Sequence, residues 1–160
     1  MMILQTCYSM PEVAFLYRNR FAFPVDMAGG RPSLVIGDGV GAAAMEPRLG
    51  APVRDALCAR GIVSVPVISH DRPGHDRWVF VLRPEPFINP PIPHVPDVDV
   101  LQPGTRVWLP TSDAQTSWYW VAPPTRSTSP GRFQAPTRVQ VLRAARSVCN
   151  GHPFTQPARG

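Results

Sequence analysis

The sequence contains no lysine, so all 16 of its basic residues are arginine. Charged residues make up only 17% of the chain, and the formal net charge is +5. This balance excludes a histone-like surface or a long basic tail, although it still gives a mild attraction to polyanions. Arginine differs from lysine in that its planar guanidinium makes bidentate contacts with phosphate or carboxylate and stacks on aromatic rings.

Cysteine is also rare, and the chain lacks any long apolar run. Cys7, Cys58 and Cys149 are widely spaced and form no zinc-binding pattern, so we expect no structural metal and no cofactor. Cys58 is predicted to lie on the core face of a helix as a small hydrophobe. With no stretch approaching about 18 apolar residues and no leader pattern at the start, the sequence predicts a soluble, cytoplasmic protein that does not contact a membrane.

Proline, in contrast, is abundant, and its 21 residues fall mostly between the periodic segments, where they mark loops. A chain of 160 residues with 44% hydrophobic residues suits a single domain with one core. The organisation predicted from these features is a main body over 1–83, a proline-rich connector over 84–103, a hairpin and helix packed on the same domain over 104–150, and a loose tail over 151–160.

The periodicity predicts an α+β fold, in which a mainly antiparallel sheet built from β-hairpins is covered by two or three short helices. One helix is expected from about Pro11 to Asn19, because Ser9 and Glu12 have capping-box spacing. A second is expected between Pro47 and Gly61, either kinked by its internal proline or regular only beyond it, and a third from about residue 136 to 149.

Strands are expected in five further places. Gly29-Gly30 separates two apolar runs and indicates a hairpin. The other segments rich in β-branched, small or aromatic residues are 41–45, 63–69 and 77–83, followed by a second predicted hairpin from 105–109 and 117–122.

The loop over residues 69–77 contains the largest group of side chains that can bind a ligand or take part in catalysis. Arg72 and Arg77 are candidate phosphate-binding residues, His75 is a candidate hydrogen-bond donor, and Gly74 allows close approach of a ligand. Two alternatives remain open. The loop is also typical of a solvated turn, and a metal-dependent hydrolase or nuclease would use one of its two histidines, at 70 and 75, with one of its aspartates, at 71 and 76.

Two other motifs carry weaker signals. Asp97 and Asp99 form an Asp-x-Asp pattern that can hold a divalent cation, but a proline-rich connector is a poor place for rigid ligands, so no metal site is predicted. Trp118 and Trp120 alternate along a strand and share one face. Their rings either pack into the core or, if that face is open, form a platform on which bases stack.

Five segments carry a family resemblance, namely VGAAAMEPRLGAPVRDALCARG, PVISH, DRWVFVLRP, GTRVWLP and WYWVAPP. Together they resemble a group of small actinobacterial proteins related to the N-terminal domain of bifunctional DNA primase/polymerases (prim-pol). The resemblance implies a turn that holds a nucleoside triphosphate, which Gly74 and the aromatic strand after it match, with His75 or Arg77 near the place of the family's histidine.

The resemblance also implies a strand with paired metal-binding acids, and here the sequence departs from the family. The corresponding run LVIGDG offers only Asp38, and the pair at Asp97 and Asp99 follows the turn instead of preceding it. Because two-metal nucleotidyl transfer needs carboxylates that hold both cations, the sequence favours a degenerate relative that binds DNA or a nucleotide without catalysis. The alternatives are a protein-interaction adaptor, whose partner is another protein, and the small hydrolase described above.

Overall fold

The structure is a computed structural model that describes residues 3–5, 7–37, 39–70, 74–85 and 94–151. Its three helices are α1 (Met10–Arg20), α2 (Pro47–Ala59) and α3 (Arg138–Cys149). The eight strands are β1 (Val25–Ala28), β2 (Arg31–Val35), β3 (Gly41–Met45), β4 (Val67–His70), β5 (Arg77–Leu82), β6 (Val98–Val100), β7 (Arg106–Trp108) and β8 (Trp118–Ala122). The predicted α+β class is confirmed.

The strands form two antiparallel sheets. The small sheet has the order β1-β2-β7 and the large sheet the order β6-β3-β5-β4-β8. The two chain-adjacent hairpins predicted around Gly29-Gly30 and between the fourth and fifth strands are present. The hairpin predicted from 105–109 and 117–122 is wrong, because β7 pairs with β2 in the small sheet whereas β8 pairs with β4 in the large one.

The two faces of the large sheet are covered by different layers. On one face α2 and α3 bury an apolar cluster that includes Met45, Leu57 and Phe80. On the other face α1 and the small sheet bury a second cluster, which contains Tyr17 and Ile68. The large sheet is therefore the central layer, and its strands alternate their side chains between two cores.

The helices begin where the sequence predicts. Ser9 accepts a hydrogen bond from the backbone nitrogen of Glu12 at the start of α1, and Thr137 and Gln140 form a reciprocal capping box at the start of α3. Helix α2 continues through Pro52. Its buried residues are Gly50, Val53 and Leu57, so Cys58 falls outside this stripe and is exposed, which corrects the prediction that it faces the core.

The proline-rich segment predicted as a connector contains a strand. This strand is β6, and it pairs with β3. Residues 86–93 of that segment and 152–160 of the predicted tail lie outside the described residues. Within the described part of the chain, none of the helices has the length and apolar character needed to cross a bilayer.

Gly50 gives a test of this packing. A Cβ added there would lie 2.8 Å from Cε3 of Trp78 and 3.3 Å from its Cδ2. Alanine in a helix interior is normally more stable than glycine by about 0.5–1 kcal/mol. At this position we expect the clash to dominate, so that Gly50→Ala lowers the free energy of unfolding by about 1–3 kcal/mol, measured by urea denaturation followed by circular dichroism.

The matched control removes the ring that causes the clash. In a Trp78→Leu background the same Gly50→Ala change is expected to be neutral or stabilising, because only the helix-propensity gain remains. A Gly50→Ala protein that is more stable than the wild type would contradict the close packing of α2 on β5.

Candidate functional site

One end of the large sheet carries a row of polar and aromatic side chains on a single face. The register places Asp99 opposite Ala44 and places His70 opposite both Arg77 and Trp118. Residues directly opposite each other in antiparallel strands point to the same face. In β5, Val79 pairs with Ala44 and lies two positions after Arg77, so Arg77 also points to this face. We call Asp99, Arg77, His70 and Trp118 the polar row.

Arg77 and Asp99 form an ion pair within this row. Nη2 of Arg77 lies 2.7 Å from Oδ2 of Asp99, and the two side chains are 41% and 59% exposed. A pair this exposed contributes at most about 1 kcal/mol. A guanidinium also carries five N–H donors, so the ion pair uses only part of its hydrogen-bonding capacity. A phosphate oxygen can therefore compete for Arg77 at little cost in free energy.

The ion pair lines an open cleft of about 370 Å³. Its walls come from the start of α2, the start of β5 and the segment that leads into β6, namely Glu46, Arg48, Leu49, Arg77, Pro96, Asp97 and Asp99. Nε of Arg48 lies 2.6 Å from Oε2 of Glu46. The cleft thus contains two arginines, each held by a carboxylate on the surface.

His70 fixes the position of Trp118 at the other end of the row. The indole N–H of Trp118 donates a hydrogen bond to Nε2 of His70, and the two rings meet edge to face with centroids 4.7 Å apart. An indole nitrogen can only donate, so Nε2 of His70 is the acceptor of this bond. The nitrogen is occupied as an acceptor, and His70 acts here as a positioning group for the Trp118 ring.

Trp120 has a different environment, although it shares the face of Trp118. Its ring stacks on Phe23 with centroids 6.2 Å apart, and its indole N–H donates to the hydroxyl of Tyr17 at 2.7 Å. That hydroxyl in turn donates to the carbonyl oxygen of Pro110 at 2.8 Å. Burial raises the pKa of Tyr17 far above its usual value, so the phenol stays protonated. The Trp120 ring therefore packs against the core and ties α1 to the large sheet.

A second group of side chains continues from Trp118 onto the small sheet. Cζ of Arg31 lies 5.3 Å from the ring centroid of Trp108 and 6.0 Å from that of Trp118. Cζ of Arg106 lies 5.9 Å from the Trp108 centroid. We call Arg106, Trp108, Arg31 and Trp118 the Trp–Arg stack. Trp118 belongs to both groups and joins them.

The residues predicted from the loop between β4 and β5 fall partly on this site. Gly74 has a φ of +81°, which suits glycine, and it is exposed together with His75. Arg77 is the first residue of β5 and belongs to the polar row. Arg72 and its neighbour Asp71 lie outside the described residues. The structure therefore joins one predicted residue, Arg77, to the cleft, whose lining does not include Gly74 or His75.

Four residues of the polar row and the Trp–Arg stack were not predicted from the sequence, namely Asp99, Arg31, Arg106 and Trp108. Asp99 reaches Arg77 only because β6 pairs with β3, and Arg31 reaches Trp118 only because the two sheets pack together. Trp108 lies in a short strand with no distinctive motif. Only Asp99 had a signal in the sequence, the Asp-x-Asp pattern, and that pattern lies in the segment predicted to be a connector.

The acidic residues do not converge on a metal position. Among the described residues, no three His, Cys, Asp or Glu side chains are placed to hold a metal ion together. Asp38, the acid in the strand position of the family resemblance, lies outside the described residues. Comparison of the chain with family models, curated proteins and solved structures finds no match.

The Tyr17 hydroxyl gives a test of how Trp120 is held. Tyr17→Phe leaves the Trp120 N–H without its acceptor and the Pro110 carbonyl without its donor. We expect a loss of about 1–3 kcal/mol in the free energy of unfolding, measured by urea denaturation. Tyr8→Phe is the control, because Tyr8 is 92% exposed and its change should stay within about 0.5 kcal/mol. Equal effects of the two substitutions would show that the buried hydrogen bonds do not support the fold.

Proposed function

We propose that this protein binds nucleic acid or nucleotides at the polar row and does not catalyse a reaction on them. The observation that carries the proposal is the guanidinium of Arg77, which lies at an open cleft and forms a weak surface ion pair. Arginine is well suited to bidentate contact with phosphate. The net charge of +5 supports an anionic ligand by attracting polyanions to the surface.

The non-catalytic part of the proposal is supported by the state of the carboxylates. Asp99 is bonded to Arg77, and Asp26 on the small sheet is bonded to Arg106 at 2.5 Å. Two-metal transfer needs carboxylates that hold both cations. In both cases a carboxylate oxygen contacts a guanidinium. Such a pair holds the arginine in position for a bound anion.

The resemblance to prim-pol N-terminal domains supports the same ligand class. Gly74 and the strand that follows it correspond to the family's triphosphate-binding turn, and Arg77 begins that strand. On this basis we place the protein in the cytoplasm, in DNA replication or in the maintenance of mobile elements, as a relative that kept binding and lost catalysis.

The hydrolase alternative receives less support from the geometry. Its base would come from His70 or His75, but Nε2 of His70 already accepts the Trp118 N–H, and His75 lies on an exposed turn. A general base needs a free nitrogen within hydrogen-bond reach of its substrate.

One observation does favour the adaptor alternative, because Tyr8 near α1 and Phe15 on α1 are 92% and 66% exposed.

Substitutions of the ion pair should change affinity in opposite directions. Arg77→Ala removes the phosphate contact and should weaken binding of a labelled oligonucleotide about tenfold, the equivalent of one charge-assisted hydrogen bond. It should also reduce the slope of log K against log salt by about 0.7–0.9. Asp99→Asn removes the competing carboxylate and should tighten binding. Fluorescence anisotropy at two salt concentrations measures both effects.

The control is Arg146→Ala, which removes the same charge from an exposed position of α3, on the other face of the large sheet. It should leave the affinity within about twofold, since a distant surface charge is largely screened. Binding that falls equally in Arg77→Ala and Arg146→Ala would indicate only non-specific attraction. A wild-type protein that binds no oligonucleotide or nucleotide at low salt would overturn the proposal and favour the adaptor.

A further inference from the structure

We propose that a second cleft, at the opposite end of the large sheet from the polar row, binds a small phosphate monoester through Arg83 and Arg138. This site is separate from the one described above. Arg77 is the first residue of β5 and Arg83 directly follows the last, so six residues of extended chain, or about 20 Å, separate the two arginines. Binding at the second cleft therefore does not depend on binding at Arg77.

The second cleft has a volume of about 330 Å³ and opens where three neighbouring strands end. It is lined by the start of β3, the ends of β5 and β6, and the first residue of α3. Apolar residues form part of its walls, among them Ile36, Leu82, Leu101 and Pro103. Small-molecule sites combine apolar walls with a few polar groups, and this volume lies near the lower end of their range of roughly 300–1,000 Å³. The cleft therefore suits a small ligand that has an apolar part.

The backbone holds the two arginines of the second cleft next to each other. Arg83 pairs in a parallel bridge with Thr137, the residue that precedes Arg138. The backbone N–H of Arg83 also donates to the carbonyl oxygen of Pro136 at 3.0 Å. Because Thr137 is the N-cap of α3, Arg138 occupies the first position of a regular helix. The two side chains therefore start from neighbouring backbone positions on a rigid support.

Neither guanidinium is neutralised by a carboxylate in the described part of the chain. Among the described residues, the side chains of Arg83 and Arg138 take part in no hydrogen bond, ion pair or ring contact. Glu85 also lines the cleft, but its Oε1 accepts the backbone N–H of Val139 at 2.8 Å instead. In the cleft beside the polar row, by contrast, both arginines are paired with carboxylates. The second cleft thus keeps its positive charge available for an anion.

This arrangement of charges is unfavourable by itself. Like charges on neighbouring positions repel each other. Arg138 also lies at the N-terminus of α3, where a cation opposes the helix dipole, and the first turn of α3 contains no acidic residue. A bound dianion removes both penalties. A phosphate monoester carries a charge of about −1.5 to −2 at pH 7 and matches two guanidiniums better than a single carboxylate does.

The experiment titrates the full chain with three probes by isothermal titration calorimetry, at a salt concentration of about 0.15 M that screens distant charges. The probes are phenyl phosphate, inorganic phosphate and benzoate. We expect phenyl phosphate to bind at least about tenfold more tightly than either of the others. Inorganic phosphate lacks the apolar ring that the walls would bury, and benzoate lacks the second negative charge.

Substitutions then assign the binding to the two arginines. Arg83→Ala and Arg138→Ala should each weaken the binding of phenyl phosphate about tenfold, the equivalent of one charge-assisted hydrogen bond. Without ligand, each variant should be at least as stable as the wild type in urea denaturation, because the repulsion within the pair is removed. The controls are Arg77→Ala at the polar row and Arg146→Ala further along α3, which should leave the affinity within about twofold.

A purely structural arginine would give a different result, because its loss would lower stability. In that case Arg83→Lys tests the contact in a protein that keeps the charge. Lysine lacks the planar fork that binds phosphate through two parallel hydrogen bonds, so this variant should bind phenyl phosphate more weakly than the wild type. Wild-type affinity in Arg83→Lys together with unstable alanine variants would overturn the proposal.

The remaining outcomes separate this site from the polar row. Wild-type affinity for phenyl phosphate in both alanine variants overturns the second cleft as a site, and so does an equal loss in Arg77→Ala. Benzoate or inorganic phosphate that binds as tightly as phenyl phosphate overturns the choice of ligand. A titration in which phenyl phosphate does not bind overturns the second cleft alone, since the oligonucleotide measurements on Arg77→Ala and Asp99→Asn test the polar row independently.

Discussion

Strand β5 occupies the centre of the large sheet, and the register of its two pairings determines the face to which Arg77 points. It pairs with β3 on one side and β4 on the other, so that Arg77 stands beside His70 and two strands away from Asp99. A slip of β5 by one residue would turn Arg77 to the opposite face, away from both of these residues. The buried alternation of Val79 and Val81 against Phe80 and Leu82 makes such a slip costly, because each face packs on its own core. The geometry of the polar row is therefore a consequence of apolar packing further along the same strand.

The aromatic cluster around Tyr17 extends this control to the Trp–Arg stack. Tyr17 contacts Phe21, Phe23 and Trp120 with ring centroids 6.0–6.1 Å apart, and it is fully buried. Aromatic pairs at such distances add to the stabilisation that comes from burial alone. Because this cluster fixes α1 and the start of the small sheet against β8, it also sets how closely Arg31 approaches Trp118. The core and the candidate site are thus continuous along β8, where Trp118 and Trp120 are both half-buried and pack against the same core cluster.

The features that the sequence predicted well are local ones. The helix starts at Ser9 and Thr137 and the turn at Gly29-Gly30 depend on neighbouring residues, and a single sequence contains that information. The pairing of β7 and β8 with different sheets was missed, because adjacency along the chain favours a hairpin and only tertiary packing decides otherwise. Strand β6 was hidden by the prolines around it, since its three residues gain their order from β3 and not from their own propensity.

The same distinction applies to the candidate site. Arg77 was predicted from its loop, whereas Asp99, Arg31 and Trp108 were not, because each becomes part of the site through a contact between distant segments. Cys58 shows the limit even for a regular helix, where an error of one position around α2 exchanged a buried residue for an exposed one. Sequence patterns identified which residue types were available for chemistry. They did not identify which of them the fold would bring together.

The absence of lysine has a structural meaning in this arrangement. An ammonium group in place of Arg31 could lie over one indole, but it has no plane with which to cover the rings of both Trp108 and Trp118. At Arg77 the guanidinium can keep one nitrogen on Asp99 while its remaining N–H groups donate to a new partner. A weak ion pair of this kind adds little stability, but it restricts the arginine to one orientation before a ligand arrives, and so it lowers the conformational entropy lost on binding. Under the proposed function, the carboxylates that pair with Arg77 and Arg106 preorganise the two arginines for an anionic ligand.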